Sequence, residues 1–150
     1  MAVFLPQGAS ALVAQCAAYK LGAIVLPLAA VFGAEALAYR FADAGVTLAI
    51  TDARGASRIA AIRPTPITLQ TVISVDGRDG AVLGFDELLE RETADFTPVD
   101  TAADDPALMI YTSGTTGQPK GALHGHRVLA GHLPGLRYSC LLYTSPSPRD

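Results

Sequence analysis

Short apolar segments alternate with helical patterns along most of this 150-residue chain, and this order restricts the fold more than any other feature. The first segment, Ala2–Leu5, is apolar throughout and ends at Pro6, while Val46–Thr51 is rich in β-branched and aliphatic residues. Strands that are apolar at almost every position suit a parallel sheet covered by helices on both faces. The pattern therefore predicts an α/β fold with a mostly parallel sheet flanked by helices.

Capping and helix-breaking residues set the predicted bounds of these elements. Ser10 is a candidate N-cap for a helix that closes on Gly22, and a later helix closes on Gly45 in the same way. Asp52 is a candidate N-cap for a helix that cannot continue past Ile62 because Pro64 and Pro66 follow. We predict strands at Ala2–Leu5, Ala23–Leu26, Val46–Thr51, Thr71–Val75 and Ala107–Tyr111, helices at Ala11–Leu21, Gly33–Ala44, Asp52–Ile62, Asp86–Glu92 and Leu123–His132, and a connecting loop at Thr93–Pro106.

Composition argues against several classes of function. Hydrophobic residues make up 50% of the chain, charged residues 17%, and the net charge is −3, which favours a globular chain over a disordered or nucleic-acid-binding one. Cys16 and Cys140 do not make a disulfide framework. The uncharged stretch Leu21–Ala34 is too short to span a bilayer, and the N-terminus lacks the basic residues of a signal peptide. We therefore expect a cytoplasmic protein without a nucleic-acid partner or a membrane span.

A loop rich in glycine and hydroxyl residues follows the last predicted strand. The run Tyr111–Gly121 reads YTSGTTGQPKG, and we call it the glycine loop. Such a loop presents backbone N–H groups, hydroxyl donors and one cation at a single point, which is what a polyphosphate requires. A side chain at Gly114 or Gly117 would hold the backbone away from phosphate oxygens. The predicted phosphate-binding residues are Thr112, Ser113, Gly114, Thr115, Thr116, Gly117 and Lys120.

The spacing within the glycine loop differs from that of the Walker A motif. That motif requires G-x-x-x-x-G-K-[ST]. Here the glycines stand at Gly114 and Gly117, and Lys120 is followed by Gly121 instead of a hydroxyl residue. An ordinary P-loop NTPase or a kinase with this motif therefore does not fit. The plainer alternative is a hydrophilic turn that only joins two elements.

The glycine loop resembles the phosphate-binding signature of the adenylate-forming (AMP-binding) superfamily, which includes acyl-CoA synthetases, luciferases and the adenylation domains of peptide synthetases. The segments Phe4–Ser10, Lys20–Leu28 and Glu35–Asp52 also resemble the N-terminal part of acyl-CoA synthetases. The resemblance covers about Ala2–Pro134. The stretch Leu123–Gly135 is most similar to short- and medium-chain or aryl acyl-CoA synthetases.

The resemblance implies carboxylate activation. ATP and a small carboxylic acid would form an acyl-adenylate and pyrophosphate, and coenzyme A would then attack to give a thioester, a reaction of fatty acid metabolism. The glycine loop would hold the β- and γ-phosphates, Lys120 would supply positive charge, and Mg²⁺ would share the neutralisation. The implied cofactors and substrates are therefore ATP, Mg²⁺ and CoA.

The resemblance also implies regions that this chain has no room for. Members of the family carry an adenine- and ribose-binding region and a mobile C-terminal domain with a catalytic lysine, and neither fits after Gly135. We expect residues 1–135 to be a partial AMP-binding N-terminal domain that is inactive alone. Residues 136–150 are expected to be a non-native or disordered tail, because Cys140–Asp150 resembles translated sequencing adapter. The alternative left open is a free-standing, non-catalytic nucleotide-binding module.

Three histidines and two aspartates near the glycine loop invite a catalytic or metal-binding interpretation. His124 and His126 are two residues apart and would not share a helix face, and no partner carboxylate or cysteine stands nearby in sequence. Asp104 and Asp105 directly precede a buried strand. We interpret these residues, with His132, as surface or helix-terminal histidines and loop acids, so no catalytic or metal-binding residue is predicted.

Overall fold

A parallel sheet of short strands organises the protein, whose computed structural model describes residues 1–62, 68–113 and 117–141, with side chains up to residue 135. The strands are β1 (Ala2–Phe4), β2 (Leu26–Pro27), β3 (Leu48–Thr51), β4 (Thr71–Ser74) and β5 (Leu83–Gly84). They lie in the order β2-β1-β3-β4-β5, and every neighbouring pair is parallel. The predicted α/β class with a mostly parallel sheet is confirmed.

Helices connect and flank the strands. They are α1 (Ala9–Lys20), α2 (Ala34–Asp43), α3 (Ala53–Ala60), α4 (Phe85–Arg91) and α5 (Arg127–Leu141). Gly22 and Gly45 adopt positive φ angles of 65° and 58° just beyond α1 and α2, a conformation that glycine takes without a steric penalty. Asp52 caps α3, since its Oδ1 accepts a hydrogen bond of 2.6 Å from the Gly55 backbone N–H. These local predictions are confirmed.

The predicted N-cap of α1 is wrong. Gly8 occupies this position, and its carbonyl oxygen accepts a hydrogen bond of 3.1 Å from the Leu12 N–H. Ser10 already lies inside the first turn. The helix begins earlier because Gly8 adopts an extended conformation and supplies the first helical carbonyl without a side-chain cap.

The two faces of the sheet bury separate apolar clusters. On one face, Phe4 packs with Phe41 of α2 and Ile59 of α3, all at most 5% exposed. On the other face, Val3 packs with Ala14 of α1. Because successive residues of a strand point to opposite faces, β1 needs apolar side chains at every position. Burial on both faces explains why its sequence shows no polar alternation.

An antiparallel hairpin extends this sheet at the β2 edge. The hairpin consists of β6 (Pro106–Thr112) and β7 (Lys120–Gly125). Val25, next to β2, donates to the Ala107 carbonyl at 2.8 Å and accepts from the Met109 N–H at 2.9 Å, and it forms a parallel bridge with Leu108. Strand β6 therefore runs parallel to its neighbour in the sheet, while β7 returns antiparallel to β6.

The predicted helix Leu123–His132 is wrong in its first part. Leu123 is paired with Met109 in the hairpin, and α5 begins only at Arg127. Strands β5 and β7 were not predicted. Strand β5 has only 2 residues. The backbone partners that satisfy the hydrogen bonds of β5 and β7 are not encoded in their local sequence.

Helix α5 continues through position 135 to Leu141. The division of the chain at 135 therefore stays a prediction, and residues 142–150, which contain most of the predicted tail, lie outside the described residues. Pro64 and Pro66, the predicted stop of α3, lie outside them as well. Within the part of the chain that the structure describes, no helix has the length and apolar character needed to cross a bilayer.

Candidate functional site

The glycine loop connects the two strands of the hairpin, so it leads from a strand into an antiparallel strand and not into a helix. Thr112 ends β6, Lys120 begins β7, and the two residues are paired at the mouth of the loop. Ser113 and Gly117 are both exposed beside them. The remaining predicted ligands, Gly114, Thr115 and Thr116, lie outside the described residues.

The described residues at the mouth of the loop form a donor set that suits an anion. Directly opposed residues of an antiparallel pair project to the same side, so the Thr112 hydroxyl and the Lys120 ammonium share a face. Both side chains are exposed, as is that of Ser113. Gly117 has a φ of 106°, which side chains disfavour. Two hydroxyls and a cation are therefore available to phosphate oxygens.

Helix α2 holds the β7 side of the loop. The Tyr39 hydroxyl donates a hydrogen bond of 2.9 Å to the carbonyl oxygen of Pro119, a residue 80 positions away in sequence. Pro119 directly precedes Lys120, so this contact is made one residue from the predicted phosphate-binding cation. The hydrogen bond therefore restrains the backbone that carries the Lys120 side chain.

The same helix holds the β6 side of the loop through Tyr111. The Tyr111 hydroxyl donates to the Asp43 carboxylate at the end of α2. The pKa of Tyr111 is raised well above its usual value. Burial of the phenol is the main cause, and the hydrogen bond to Asp43 is the second. Gly121 is paired with Tyr111, and a Cβ there would lie 3.3 Å from the Tyr111 Cζ atom. The glycine thus leaves space for the ring.

A buried arginine lies between the rings at this junction. Arg40 is 8% exposed, and its guanidinium lies 4.3 Å from the ring centre of Phe32 and 5.4 Å from that of Tyr111. Its Nη1 donates to the Ala36 carbonyl at 2.8 Å, whereas its Nε has no hydrogen-bond partner among the described residues. Tyr39 meets Tyr111 edge-to-face at 6.2 Å between ring centres. The contacts of the Arg40 guanidinium and the Tyr39 ring with the Tyr111 ring together join α2 to the hairpin.

Sequence reasoning missed Tyr39, Arg40 and Asp43. A partial signal was present: Tyr39 and Asp43 are four residues apart, so they lie on one face of a predicted helix. That spacing does not reveal which distant segment the face contacts. The partners of these residues, Pro119 and Tyr111, became visible only with the hairpin in place.

Among the histidines and aspartates considered from the sequence, His126, Asp104 and Asp105 have structural contacts. His126 lies edge-to-face against Tyr19 of α1 at 6.1 Å, and its backbone N–H donates to the Asp105 carbonyl. Asp104 forms an exposed salt bridge with Arg127. Within residues 1–62, 68–113 and 117–141, no group of three or more His, Cys, Asp or Glu side chains is arranged to hold a metal ion.

Two cavities lie beside the N-terminal end of α1, at the carboxyl edge of the parallel strands. The larger, of about 490 Å³, includes Gln7 and Gln15 in its lining, and the smaller, of about 310 Å³, is bordered by Asp52 and Asp76. Described residues of the glycine loop line neither cavity. The donor set at the loop mouth is therefore an exposed surface site and not part of these cavities.

Comparison with known proteins places the chain in a family. The AMP-binding enzyme family matches residues 1–144, and the chain belongs to this family of adenylate-forming enzymes. The acetyl-coenzyme A synthetase of Citrobacter koseri is 30% identical over 142 residues, which cover 83% of this chain and 22% of that protein. An uncharacterized acyl-CoA ligase of Bacillus subtilis is 36% identical over 135 residues, covering 87% of this chain and 24% of that protein.

A solved structure supports the same assignment. The crystal structure of a Brucella canis acyl-CoA synthetase superposes with a TM-score of 0.76 at 25% sequence identity. The superposition covers 87% of this chain and 24% of that one. The chain therefore spans about a quarter of the length of these relatives.

Proposed function

We propose that this chain is the N-terminal part of an ATP-dependent carboxylate–CoA ligase and that its glycine loop holds the β- and γ-phosphates of ATP. The observation that carries the proposal is the pairing of Thr112 with Lys120 at the mouth of the loop. This pairing places a hydroxyl and an ammonium group side by side on one exposed face. This donor set has the charge and hydrogen-bonding capacity for a polyphosphate. The names of the relatives point to an acyl-CoA product.

The chain's own residues would act on the leaving pyrophosphate. Negative charge increases on the β-phosphate as the carboxylic acid attacks the α-phosphorus and the α–β bridge breaks. The Lys120 ammonium and the hydroxyls of Thr112 and Ser113 would stabilise this charge, together with Thr115 and Thr116. Mg²⁺ would supply further neutralisation of the phosphates when it is bound. A small carboxylic acid, ATP and CoA are the proposed substrates.

Activity in this proposal requires more protein than these residues. The part of this chain that aligns with the C. koseri acetyl-coenzyme A synthetase, 83% of its length, covers 22% of that protein, so most of a ligase of that size would come from other sequence. We propose that the segment 1–135 is the partial AMP-binding domain, that 136–150 is a tail without a role in the reaction, and that the chain alone is inactive. A cytoplasmic location is part of the same proposal.

The test is the Lys120→Ala substitution in the complete protein that contains this chain. We expect carboxylate-dependent ATP–pyrophosphate exchange to fall by about 10²–10³-fold, the loss typical for removal of one donor to a developing charge. The matched control is Lys20→Ala, because Lys20 is the chain's other lysine and lies on α1 above the Phe96 ring, with its Nζ 5.5 Å from the ring centre. We expect the control to retain exchange.

Two results would contradict the proposal. Exchange that is equal in the Lys120→Ala variant and the unaltered protein would remove the glycine loop from the reaction. ATP binding without any carboxylate-dependent exchange, across a panel of short, medium-chain and aryl acids, would favour the non-catalytic nucleotide-binding module instead.

A further inference from the structure

We infer that Tyr39 and Asp43 of α2 are positioning residues that hold the two ends of the glycine loop in the geometry needed for ATP. The inference rests on the proposed function of that loop and extends it to a helix more than sixty residues earlier in the chain. Neither side chain is placed in contact with ATP. Both would act through the backbone and the strand that carry the phosphate-binding residues.

The first argument is that the two contacts bracket the loop. Tyr39 restrains Pro119 on the β7 side, and Asp43 restrains Tyr111 on the β6 side. The adjacent residues, Lys120 and Thr112, are the described donors at the loop mouth. Fixing both neighbours of a loop limits the positions that its ends can sample, which preorganises the donors before the ligand arrives.

The second argument is that α2 is itself held in place by the core. Leu37 and Phe41, on the buried side of the helix, are both 0% exposed and belong to the core cluster under the sheet. Buried Arg40 lies against the Tyr111 ring from the same helix. A helix anchored in this way cannot follow movements of an exposed hairpin, so the loop is restrained relative to the core.

The third argument is that these polar contacts add little to folding. Asp43 is exposed and Tyr39 is half-buried, so water can replace the lost partner when either group is removed. Both side chains nevertheless reach across to the hairpin instead of pointing away from it. Removal should therefore affect the loop more than the stability of the fold.

The first test is Tyr39→Phe in the complete protein, which deletes the hydroxyl and keeps the ring against Tyr111. We expect the KM and the Kd for ATP to rise about 3- to 10-fold, the range that one lost hydrogen bond produces, with an unchanged KM for the carboxylic acid and an unchanged melting temperature. The matched control is Tyr19→Phe, because the half-buried Tyr19 lies on α1 against His126, away from the loop. We expect no change in either ATP constant for the control.

The second test is a double-mutant cycle with Lys120→Ala. If Tyr39 acts by placing Lys120, the factor by which Tyr39→Phe raises the Kd for ATP should fall toward one when the Lys120 side chain has already been removed. Full additivity, or equal ATP constants in Tyr39→Phe and the unaltered protein, would overturn the inference. Because Kd for ATP is measured by calorimetry, this outcome is distinct from a failure of the proposed reaction, in which the unaltered protein shows no exchange.

Asp43 supplies an independent measurement. Asp43→Ala removes the acceptor for the Tyr111 hydroxyl, whereas Asp43→Asn keeps an oxygen that can accept it. We expect weaker ATP binding in Asp43→Ala and recovery of most of the affinity in Asp43→Asn. Equal affinity in Asp43→Ala and the unaltered protein would contradict the role of this contact.

Discussion

Tyr111 is a residue of the glycine loop whose side chain contacts the structure around the loop. Its backbone belongs to β6 at the start of the glycine loop, but its hydroxyl donates to Asp43 of α2. The ring covers Gly121 across the hairpin and meets Tyr39 edge-to-face. We therefore assign Tyr111 to the support of the loop and not to the predicted phosphate-binding residues.

The raised pKa of Tyr111 gives a pH prediction. Burial and the hydrogen bond to Asp43 favour the protonated phenol in the folded state, so the folded protein keeps this proton at pH values where the unfolded chain has lost it. The resulting stabilisation is complete below the ordinary tyrosine pKa, about 10, and is lost as the pH rises above it. We expect Tyr111→Phe to remove the latest-titrating part of the 295-nm phenolate absorbance.

Tyr19 is the control for this titration. Burial also raises the pKa of Tyr19, but its hydroxyl makes no contact with Asp43. Tyr19→Phe should therefore leave in place the part of the curve that Tyr111→Phe removes. Identical difference curves for the two variants would show that Tyr111 has no special environment.

The β6–β7 hairpin is the element that places the glycine loop, and two neighbouring segments hold it. On the β6 side, the backbone of Val25 links the hairpin to the parallel sheet. On the β7 side, the segment 101–105 packs against its end, where His126 and Arg127 donate backbone hydrogen bonds to the carbonyls of Asp105 and Ala103. The position of the end of β7 therefore depends on close approach between its backbone and that of the segment 101–105.

Gly125→Ala should loosen this end of the hairpin. An added Cβ would lie 2.9 Å from the Ala103 carbonyl oxygen and 3.2 Å from the backbone of Asp104, so the backbone itself would have to move. We expect a cost of about 1–3 kcal/mol, as for other overpacked sites, and faster amide hydrogen exchange in peptides that cover β7. Peptides from β1 and β3 should exchange at their original rates.

Gly131→Ala is the matched control for this substitution. The same Cβ added in α5 meets no atom within 4 Å, and alanine is the better helix former by about 1 kcal/mol. We expect exchange in β7 to be unchanged in this variant. Equal protection of β7 in both variants would show that the contact with the 101–105 segment does not hold the hairpin.

The molecule as a whole has a buried apolar core and, in addition, several large apolar side chains exposed on its surface. The two faces of the sheet bury their clusters, yet Val31 is 84% exposed, Leu12 63%, Leu133 57% and Leu123 52%. The superposition on the Brucella canis synthetase covers 87% of this chain but only 24% of that one. We propose that these apolar side chains contact the rest of a larger ligase.

The corresponding prediction compares the 150-residue chain with the complete protein. We expect the chain alone to show no carboxylate-dependent ATP–pyrophosphate exchange and no rise in melting temperature with ATP, since a ligand stabilises a fold only in proportion to its binding. The complete protein should show both. Exchange catalysed by the isolated chain would disprove the proposal that it is inactive alone.

Features that depend on a few neighbouring residues were predicted from the sequence with good accuracy. The Asp52 cap, the glycines that follow α1 and α2, and the apolar strands β1, β3 and β4 all follow from interactions within about one turn or strand. The family and the glycine loop were also identified from a contiguous run of residues. The order of these elements was sufficient for the α/β class, because unbroken apolar strands require cover on both faces.

Features that depend on distant partners required the folded chain. Strand β7 forms because β6 satisfies its backbone, although its sequence resembled the start of a helix. The supports of the loop join residues 80 and 68 positions apart, Tyr39 with Pro119 and Asp43 with Tyr111. The glycine loop is thus recognised from adjacent residues, whereas its position depends on contacts that exist only after α2 and the hairpin have packed together.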